Sequence, residues 1–189
     1  MGTLRIVAGD LRGRRIEVPS GSEVRPTPDR VRESLFDILG QSLTGQRVLD
    51  ACAGSGALGL EAVSRGAATV IFIEANRRVG DVLRDNVAHL GVESRCRVLE
   101  GRAEVLLARG AAGGPFDLVM ADPPYAEPLR GPILDALLAI PGTLARGARV
   151  VLERESRDAP ASAAGPGLPL VRTARYGRTC LDFYRVEPV

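Results

Sequence analysis

The stretch Asp50-Ala51-Cys52-Ala53-Gly54-Ser55-Gly56 places a glycine-rich turn directly after the apolar pair Val48-Leu49. From Arg47 onward, short apolar runs typical of strands alternate with longer segments typical of helices. Such a series predicts a parallel, doubly wound sheet with helices on both faces. The glycine-rich turn would then lie at the carboxyl end of the first strand of the series, which is where open α/β sheets bind their ligands.

The same alternation predicts where each element lies. The predicted strands cover residues 48–49, 69–73, 97–99, 116–120 and 149–152, and the predicted helices cover residues 58–65, 78–90, 103–108 and 133–138. Near the end of the chain, the runs 170–175 and 180–186 flank the turn Tyr176-Gly177-Arg178-Thr179, which indicates an antiparallel hairpin. We therefore predict an α/β protein whose mostly parallel sheet ends in a C-terminal antiparallel hairpin.

The beginning of the chain does not follow this alternation. We predict that residues 1–40 form a small appendage on a core of residues 41–189. Two short strands at 4–8 and 14–18, separated by a glycine-bounded turn, would make a β-hairpin. A helix would follow, with Thr27 as its N-cap and a proline at its first position.

The composition is that of an ordinary globular protein, because 45% of the 189 residues are hydrophobic and 25% are charged. The chain contains no lysine, which excludes a P-loop nucleotide site and a lysine Schiff base. Three scattered cysteines and one histidine do not predict a zinc site or a disulfide framework. With no membrane-length apolar run and no signal peptide, we expect a cytoplasmic protein without a metal. No heptad pattern is present, so we expect a monomer.

A second informative stretch is Asp122-Pro123-Pro124-Tyr125, which follows the predicted strand 116–120. The two prolines fix their own φ angles and keep the residue before each of them out of the helical region. The segment is therefore predicted to form a stiff rim that presents a carboxylate and backbone carbonyls beside an aromatic ring. Hydrogen-bond acceptors beside a stacking surface suit a planar group that carries an NH₂, which points to chemistry on an exocyclic amine.

The glycine-rich turn allows two interpretations. Gly54, Gly56 and Gly59 satisfy the Gly-x-Gly-x-x-Gly pattern of dinucleotide sites, and Glu74, about 20 residues further on, could bind ribose hydroxyls. Asp50, however, places a carboxylate where a pyrophosphate would be repelled. S-adenosylmethionine (SAM) presents a cationic ammonium and sulfonium to the same position. The pattern thus favours SAM, although an aspartate that only caps the loop would give the same sequence.

The pair Asp-x-x-x-Gly-Ser-Gly and Asp-Pro-Pro-Tyr resembles the methyltransferases that act on adenine N6, guanine N2 or a glutamine amide. Further motifs resemble the bacterial 16S ribosomal RNA guanine-N2 methyltransferases in particular, over essentially the whole chain and most weakly between residues 126 and 170. These motifs are Arg5-Ile6-Val7-Ala8-Gly9, Gly13-Arg14-Arg15, Arg25-Pro26-Thr27-Pro28-Asp29-Arg30-Val31-Arg32-Glu33-Ser34-Leu35-Phe36 and Ala53-Gly54-Ser55-Gly56-Ala57-Leu58-Gly59-Leu60-Glu61-Ala62.

The resemblance implies a Rossmann-like methyltransferase core and SAM as the cofactor. By position, Asp50 and Gly54-Ser55-Gly56 would hold the methionine part of SAM, and Glu74 the ribose. The Gly101-Arg102-Ala103 segment would lie against the adenine. Many relatives in the wider superfamily carry Asp where this chain has Arg102, so the backbone N–H of Ala103 is the expected adenine contact.

The resemblance also assigns roles on the rim. Asp122 and the carbonyl of Pro123 would grip the guanine amine, with Pro124 stiffening the rim and Tyr125 stacked on the base. Two acceptors on the amine hydrogens would pull the nitrogen towards tetrahedral geometry and aim its lone pair at the methyl group. Whether Asp122 takes a proton or only orients the amine stays open.

Three other functions are compatible with parts of the sequence. A DNA adenine-N6 methyltransferase shares the Asp-Pro-Pro-Tyr rim, but readers of duplex DNA generally need an added recognition module, and no large insertion is present. A non-catalytic RNA-binding module leaves Asp50 and the rim unexplained. An NAD-binding oxidoreductase would be separated from these by testing whether SAM or NAD raises the melting temperature.

The predicted appendage is rich in arginine. Either these side chains grip RNA phosphates, or they pair with neighbouring acids on a solvated face; the small size of the appendage favours as partner an assembling or assembled small ribosomal subunit. The candidate RNA-binding residues are Arg12, Arg14, Arg15, Arg25, Arg30 and Arg32.

Overall fold

The computed structural model describes residues 2–19, 29–124, 128–163 and 167–187. In chain order the elements are β1 (Gly2–Arg5), β2 (Arg15–Val18), α1 (Asp29–Leu39), β3 (Arg47–Asp50), α2 (Ala57–Ser64), β4 (Thr69–Glu74), α3 (Arg77–Leu90), a 3-10 turn (Glu93–Arg95), β5 (Cys96–Glu100), α4 (Ala103–Ala108), β6 (Phe116–Ala121), α5 (Arg130–Ala139), β7 (Leu144–Glu155), β8 (Leu170–Tyr176) and β9 (Thr179–Arg185).

Seven strands form one sheet in the spatial order β5-β4-β3-β6-β7-β9-β8. The first five of these are parallel, and β9 joins β7 antiparallel before pairing with β8. The predicted fold class is thus confirmed. The strand order reverses between β3 and β6, whose ends are joined by the hydrogen bond from Ala51 N–H to the Met120 carbonyl at 2.8 Å. That reversal places the glycine-rich turn and the Asp122 rim side by side.

The period-two alternation of the strands divides the core between the two faces of the sheet. In β3, Val48 packs on the face covered by α2 and α3, whereas Leu49 packs on the face covered by α4 and α5. In β6, Met120 and Val119 alternate in the same way. Because both faces are buried, these strands consist of almost continuous apolar residues, which is why the sequence reveals them clearly.

The N-terminal hairpin packs against the face formed by α2 and α3. Ile6 and Ile16 belong to the same buried cluster as residues of α1, α2 and α3. Asp10 N–H donates to the Ser64 carbonyl at 2.8 Å, and the loop passes so close that a Cβ on Gly9 would lie 1.9 Å from that oxygen. The division at residue 40 stays a prediction about folding units, since the buried side chains on both sides of it share one core.

Two predicted boundaries were wrong. The first hairpin strand is Gly2–Arg5 and not 4–8, because the backbone N–H groups of Val7 and Ala8 turn away to bind Glu61. The strand predicted at 149–152 is only the apolar centre of β7, which extends to twelve residues because its polar flanks continue the pairing with β6 and β9. The N-cap predicted at Thr27 lies outside the described residues. Within the described ranges, no helix is both long and apolar enough to cross a membrane.

Candidate active site

The candidate site is the edge of the sheet formed by the carboxyl ends of β3, β4, β5 and β6, where open α/β sheets have their ligand cleft. The parallel register brings the last residue of β3, Asp50, beside Met120 of β6 and Phe72 of β4. Glu74 ends β4 opposite the end of β5, and Asp122 follows β6 directly. Residues that are up to 72 positions apart in the sequence therefore meet at one edge of the sheet, as the alternating pattern predicted.

Asp50 is buried, with 1% of its surface exposed, yet its carboxylate is only half satisfied. Its Oδ2 accepts a hydrogen bond from Gly59 N–H at 2.9 Å, while the buried Oδ1 has no hydrogen-bond partner among the described residues. Burial raises the pKa of Asp50 to about 7; the bond from Gly59 opposes this rise, and the nearby Glu74 adds to it. A cation placed at Oδ1 would satisfy this oxygen and favour the charged carboxylate.

The contact with Gly59 also bears on the two interpretations of the glycine-rich turn. Gly59 lies in the first turn of α2, so its N–H is one of the amides that a helix leaves for a cap or an anion. Asp50 occupies that amide, which means that the capping interpretation is correct for Oδ2. The same contact places a carboxylate where a dinucleotide would bring its pyrophosphate, which argues against the dinucleotide interpretation.

The turn itself needs its glycines for different reasons. Gly54 and Gly56 have φ angles of 55° and 89°, which L side chains rarely adopt. A Cβ on Gly59, by contrast, would lie 2.2 Å from the Phe72 ring, so this glycine lets α2 pack onto β4. Ser55 is buried, and its carbonyl accepts a hydrogen bond from Asn86 at 3.0 Å, which anchors the turn to α3.

Glu74 holds the turn from the other side. Its Oε2 accepts from Gly54 N–H at 2.8 Å and its Oε1 from Asn76 N–H at 2.7 Å. Each carboxylate oxygen has a second lone pair, so these contacts leave room for the predicted ribose hydroxyls. Glu74 thus shapes the glycine-rich turn, and its role towards ribose stays a prediction.

The segment after β5 contributes one side of the cleft. Gly101 N–H donates to the Glu74 carbonyl at 3.0 Å, and the buried Ala103 opens α4. Glu104, which the sequence analysis did not single out, has an Oε2 that is buried and lacks a hydrogen-bond partner among the described residues. Its only sequence signal was an acid in the first turn of a helix, a position that the helix dipole favours in any case.

Cys52 reports the electrostatic character of the cleft. Burial raises the pKa of its thiol well above the ordinary range, and nearby carboxylates raise it further. A thiol in such surroundings stays protonated and is a poor nucleophile. The carboxylates that act on it are Asp50, Asp122, Glu74 and Glu104. Four acids whose charges reach one thiol make the local potential negative, which suits a cation.

The rim follows β6 as predicted. Asp122 is half-buried, Pro123 is buried and Pro124 is exposed, while Tyr125 lies outside the described residues. The fit to SAM rests on the buried Oδ1 of Asp50 and on the acidic cleft, both of which suit a ligand with a cationic centre. Among the described residues, no group of three or more His, Cys, Asp or Glu side chains could hold a metal ion.

Of the six candidate RNA-binding arginines, four are exposed, one is buried and one lies outside the described residues. Arg12, Arg14 and Arg15 are exposed on the hairpin, and Arg14 donates to the His89 carbonyl at 2.8 Å. Arg30 is exposed on α1, and Arg25 lies outside the described residues. Their contact with RNA stays a prediction.

For Arg32 the prediction was wrong. Its side chain is 1% exposed and donates to the Arg5 carbonyl at 2.7 Å and to Asp29 at 2.9 Å. It therefore joins α1 to β1 and cannot reach a phosphate. The sequence did contain the signal, because Arg32 stands three, four and seven residues before Leu35, Phe36 and Leu39 on the buried face of the helix.

Comparison with known proteins shows which family the chain belongs to. The model of the family described as "Conserved hypothetical protein 95" matches residues 4–185. Ribosomal RNA small subunit methyltransferase D of Escherichia coli strain K12 is 42% identical over 170 residues, which are 90% of this chain and 80% of the relative.

Comparison with solved structures also finds methyltransferases. The Escherichia coli protein yhhF is similar with a TM-score of 0.87 and 37% identity, and the match covers 100% of each chain. An RNA methyltransferase from Salinibacter ruber, solved with S-adenosyl-L-homocysteine, shares the fold at 16% identity and a TM-score of 0.63, over 86% of this chain and 94% of the other. The chain therefore belongs to the Conserved hypothetical protein 95 family and to the family of the small-subunit ribosomal RNA methyltransferase D of Escherichia coli, which confirms the resemblance found in the sequence.

Proposed function

We propose that this protein transfers a methyl group from SAM to the exocyclic N2 amine of a guanine in small-subunit ribosomal RNA. The observation that carries the proposal is the juxtaposition of Asp50 and the Asp122 rim across the bond from Ala51 N–H to the Met120 carbonyl. One side of the cleft suits a cationic cofactor and the other presents acceptors for an amine. The 42% identity to a methyltransferase of small-subunit ribosomal RNA supports the substrate class.

The residues of the glycine-rich turn would hold the cofactor. Asp50 Oδ1 faces the cationic part, the Gly54–Gly56 turn allows close backbone approach, and Glu74 accepts from the ribose hydroxyls. Ala103 borders the adenine with its backbone N–H. When bound, SAM supplies an electrophilic methyl group and a positive charge that the four acids of the cleft favour.

The rim acts on the amine. The N2 lone pair of guanine is delocalised into the ring, so the nitrogen is a poor nucleophile until its hydrogens are held. Asp122 and the Pro123 carbonyl each accept a hydrogen bond from one of the two N–H groups of the amine, which draws the nitrogen towards tetrahedral geometry. Tyr125 stacks on the base and keeps its plane fixed. Cys52 takes no part, because its thiol stays protonated in the acidic cleft.

The hairpin would supply the RNA-binding surface. Exposed Arg12, Arg14 and Arg15 present planar guanidinium groups, which bind phosphate oxygens in pairs. Such contacts position the RNA without reading its sequence, so the choice of base falls to the rim. We propose an assembling or assembled small subunit as the substrate, a cytoplasmic location and a monomeric enzyme.

The test is methyl transfer from labelled SAM to small-subunit particles that lack the modification, with the labelled nucleoside identified. Labelled N2-methylguanosine is expected. Labelled N6-methyladenosine would instead show that the enzyme acts on adenine. Asp122→Ala should lower turnover by roughly 10²–10³-fold, the loss typical of a group that acts at the transition state, and should change SAM affinity only a few-fold.

A matched control is Asp85→Ala, since Asp85 is exposed on α3, away from the rim. Native turnover by the Asp122 variant would remove the rim from the reaction. Equal losses in both variants would mean that the assay reports general damage to the protein.

A further inference from the structure

Four buried side-chain atoms have no hydrogen-bond partner among the described residues. Two belong to Arg32, and the other two are acceptors, Asp50 Oδ1 and Glu104 Oε2. A buried carboxylate oxygen without a donor costs free energy, so two such oxygens beside the carboxyl ends of the strands point to a ligand that brings the donors. Asp50 Oδ1 is proposed to face the cationic part of the cofactor, whereas no hydrogen bond proposed above involves Glu104 Oε2.

We propose that Glu104 determines the specificity for the cofactor's base, its Oε2 accepting a hydrogen bond from the 6-amino group of adenine. The inference deepens the proposed function and rests on its cofactor. Adenine carries a donor at this position, whereas hypoxanthine carries a carbonyl oxygen, which a carboxylate repels. Glu104 would therefore select an adenine nucleoside against its oxo counterpart.

The position of Glu104 supports this role. α4 begins one residue earlier, at Ala103, directly after the segment that Gly101 ties to the Glu74 carbonyl. Glu74 is the predicted ribose contact, so the base attached to that ribose is expected beside α4. Glu104 and Asp50 are both among the carboxylates that raise the pKa of the Cys52 thiol, so both lie within electrostatic reach of the same residue.

The neighbouring Arg102 helps to hold the carboxylate in place. Its Nε donates to Glu104 Oε1 at 2.5 Å, which leaves Oε2 as the oxygen turned inwards. A carboxylate that accepts from a guanidinium with one oxygen can accept from a second donor with the other. The backbone N–H of Ala103 and the side chain of Glu104 would then contact the base from adjacent positions.

Equilibrium binding tests the inference without catalysis. We would titrate S-adenosylhomocysteine and S-inosylhomocysteine into the native protein and into Glu104→Gln by calorimetry. The native protein should prefer the adenosyl compound by roughly 10- to 100-fold, the range for a hydrogen bond to a charged group. Glu104→Gln should lose or reverse the preference, because the glutamine NH₂ can donate to the 6-oxo group.

Two further variants complete the design. Glu104→Ala should lose the preference without reversing it. Glu93→Gln, a matched change at an exposed glutamate near the opposite end of β5, should keep the native preference. Equal affinities in the native protein, or an undiminished preference in Glu104→Gln, would overturn the inference while leaving the cofactor in place. Failure of the native protein to bind either compound would instead overturn the proposed cofactor, and the inference with it.

Discussion

Two buried carboxylates contact the same helix, α2, and differ in how completely they are satisfied. Glu61, on the helix, is 0% exposed and accepts from Arg65 Nε at 2.9 Å, Ala8 N–H at 3.0 Å and Val7 N–H at 2.7 Å. Asp50 is buried to the same degree but accepts one bond, from Gly59 N–H. Burial alone therefore does not distinguish the two acids, whereas the number of donors that reach each carboxylate does.

The two carboxylates hold different parts of the molecule in place. Glu61 fastens the hairpin loop to the core, and its ion-pair partner Arg65 extends the network by lying 4.6 Å from the centre of the Phe36 ring and donating to Gln41. Asp50 fastens the start of α2 with one oxygen, while its other oxygen has no donor among the described residues. A completed network stabilises the fold, whereas an incomplete one retains binding capacity at a cost in stability.

The largest expected effect is on the Glu61 side. Glu61→Ala would leave the buried Arg65 and two backbone N–H groups without their acceptor, so the free energy of unfolding should fall by about 3–5 kcal/mol. Urea denaturation measures this loss, and hydrogen exchange should become faster at Val7 and Ala8. Glu93→Ala, at an exposed glutamate, should stay within about 0.5 kcal/mol of the native protein. A similarly small loss in Glu61→Ala would mean that the hairpin is held by its other contacts, namely its apolar core residues and bonds such as that from Asp10 N–H to the Ser64 carbonyl.

A smaller effect is expected from the pH dependence of Asp50. Because its pKa is about 7 in the folded protein, against an ordinary 3.8, folding takes up a proton between these values. Unfolding free energy should therefore fall as the pH rises from about 4 to about 7, by roughly 2–4 kcal/mol. Asp50→Asn cannot titrate, so its stability should vary less over this range. Thermal unfolding in a pH series decides the point, and parallel profiles for the two proteins would contradict the raised pKa.

The cofactor should affect the same titration. A cationic ligand beside Asp50 favours the charged carboxylate, so SAM affinity should rise with pH across the pKa of Asp50. The rise should be absent in Asp50→Asn. Calorimetry in two buffers of different ionisation enthalpy would detect the proton released on binding.

A still smaller effect, on SAM binding, is expected from substitution of Glu74. Glu74→Ala should weaken SAM binding by about 1–3 kcal/mol, the range for unsatisfied partners of a charged acceptor. Part of that loss would come from the turn, since Gly54 N–H also loses its acceptor. Glu74→Gln keeps an acceptor for the turn and should show a smaller loss. RNA affinity should be unchanged, and native SAM affinity in Glu74→Ala would place the ribose contact elsewhere.

Much of the fold could be predicted because its signals are local. The strand predicted at 69–73 is Thr69–Glu74 and the helix predicted at 78–90 is Arg77–Leu90, since an apolar run marks the strand and Gly91 marks the end of the helix. The Glu61 network could not be predicted, because it joins side chain to backbone across 53 and 54 positions. A glutamate within an apolar helix gives no sign of its partners.

The site divides in the same way. Asp50 and the Asp122 rim follow strands directly, so the topology alone brings them together. Glu104 and the half-satisfied state of Asp50 depend on which donors approach each oxygen, and that information exists only in the packed structure. Arg32 was misassigned because an arginine-rich composition outweighed a helical spacing that placed it on the buried face.

The smallest effect per residue is expected at the exposed arginines of the hairpin whose loop Glu61 holds. If Glu61 holds the hairpin as an RNA-binding arm, changing Arg12, Arg14 and Arg15 together to Ala should weaken RNA binding at low salt. It should also lower the slope of log affinity against log salt by up to about 3 units, roughly 0.7–0.9 for each lost phosphate contact. Arg14 already donates to the His89 carbonyl, so Arg14→Ala alone should change the slope less than Arg12→Ala or Arg15→Ala. SAM affinity should not change, because the cleft lies at the ends of the parallel strands. A native salt slope in the triple variant would show that the network secures a structural cover, and the RNA-binding surface would then lie elsewhere on the protein.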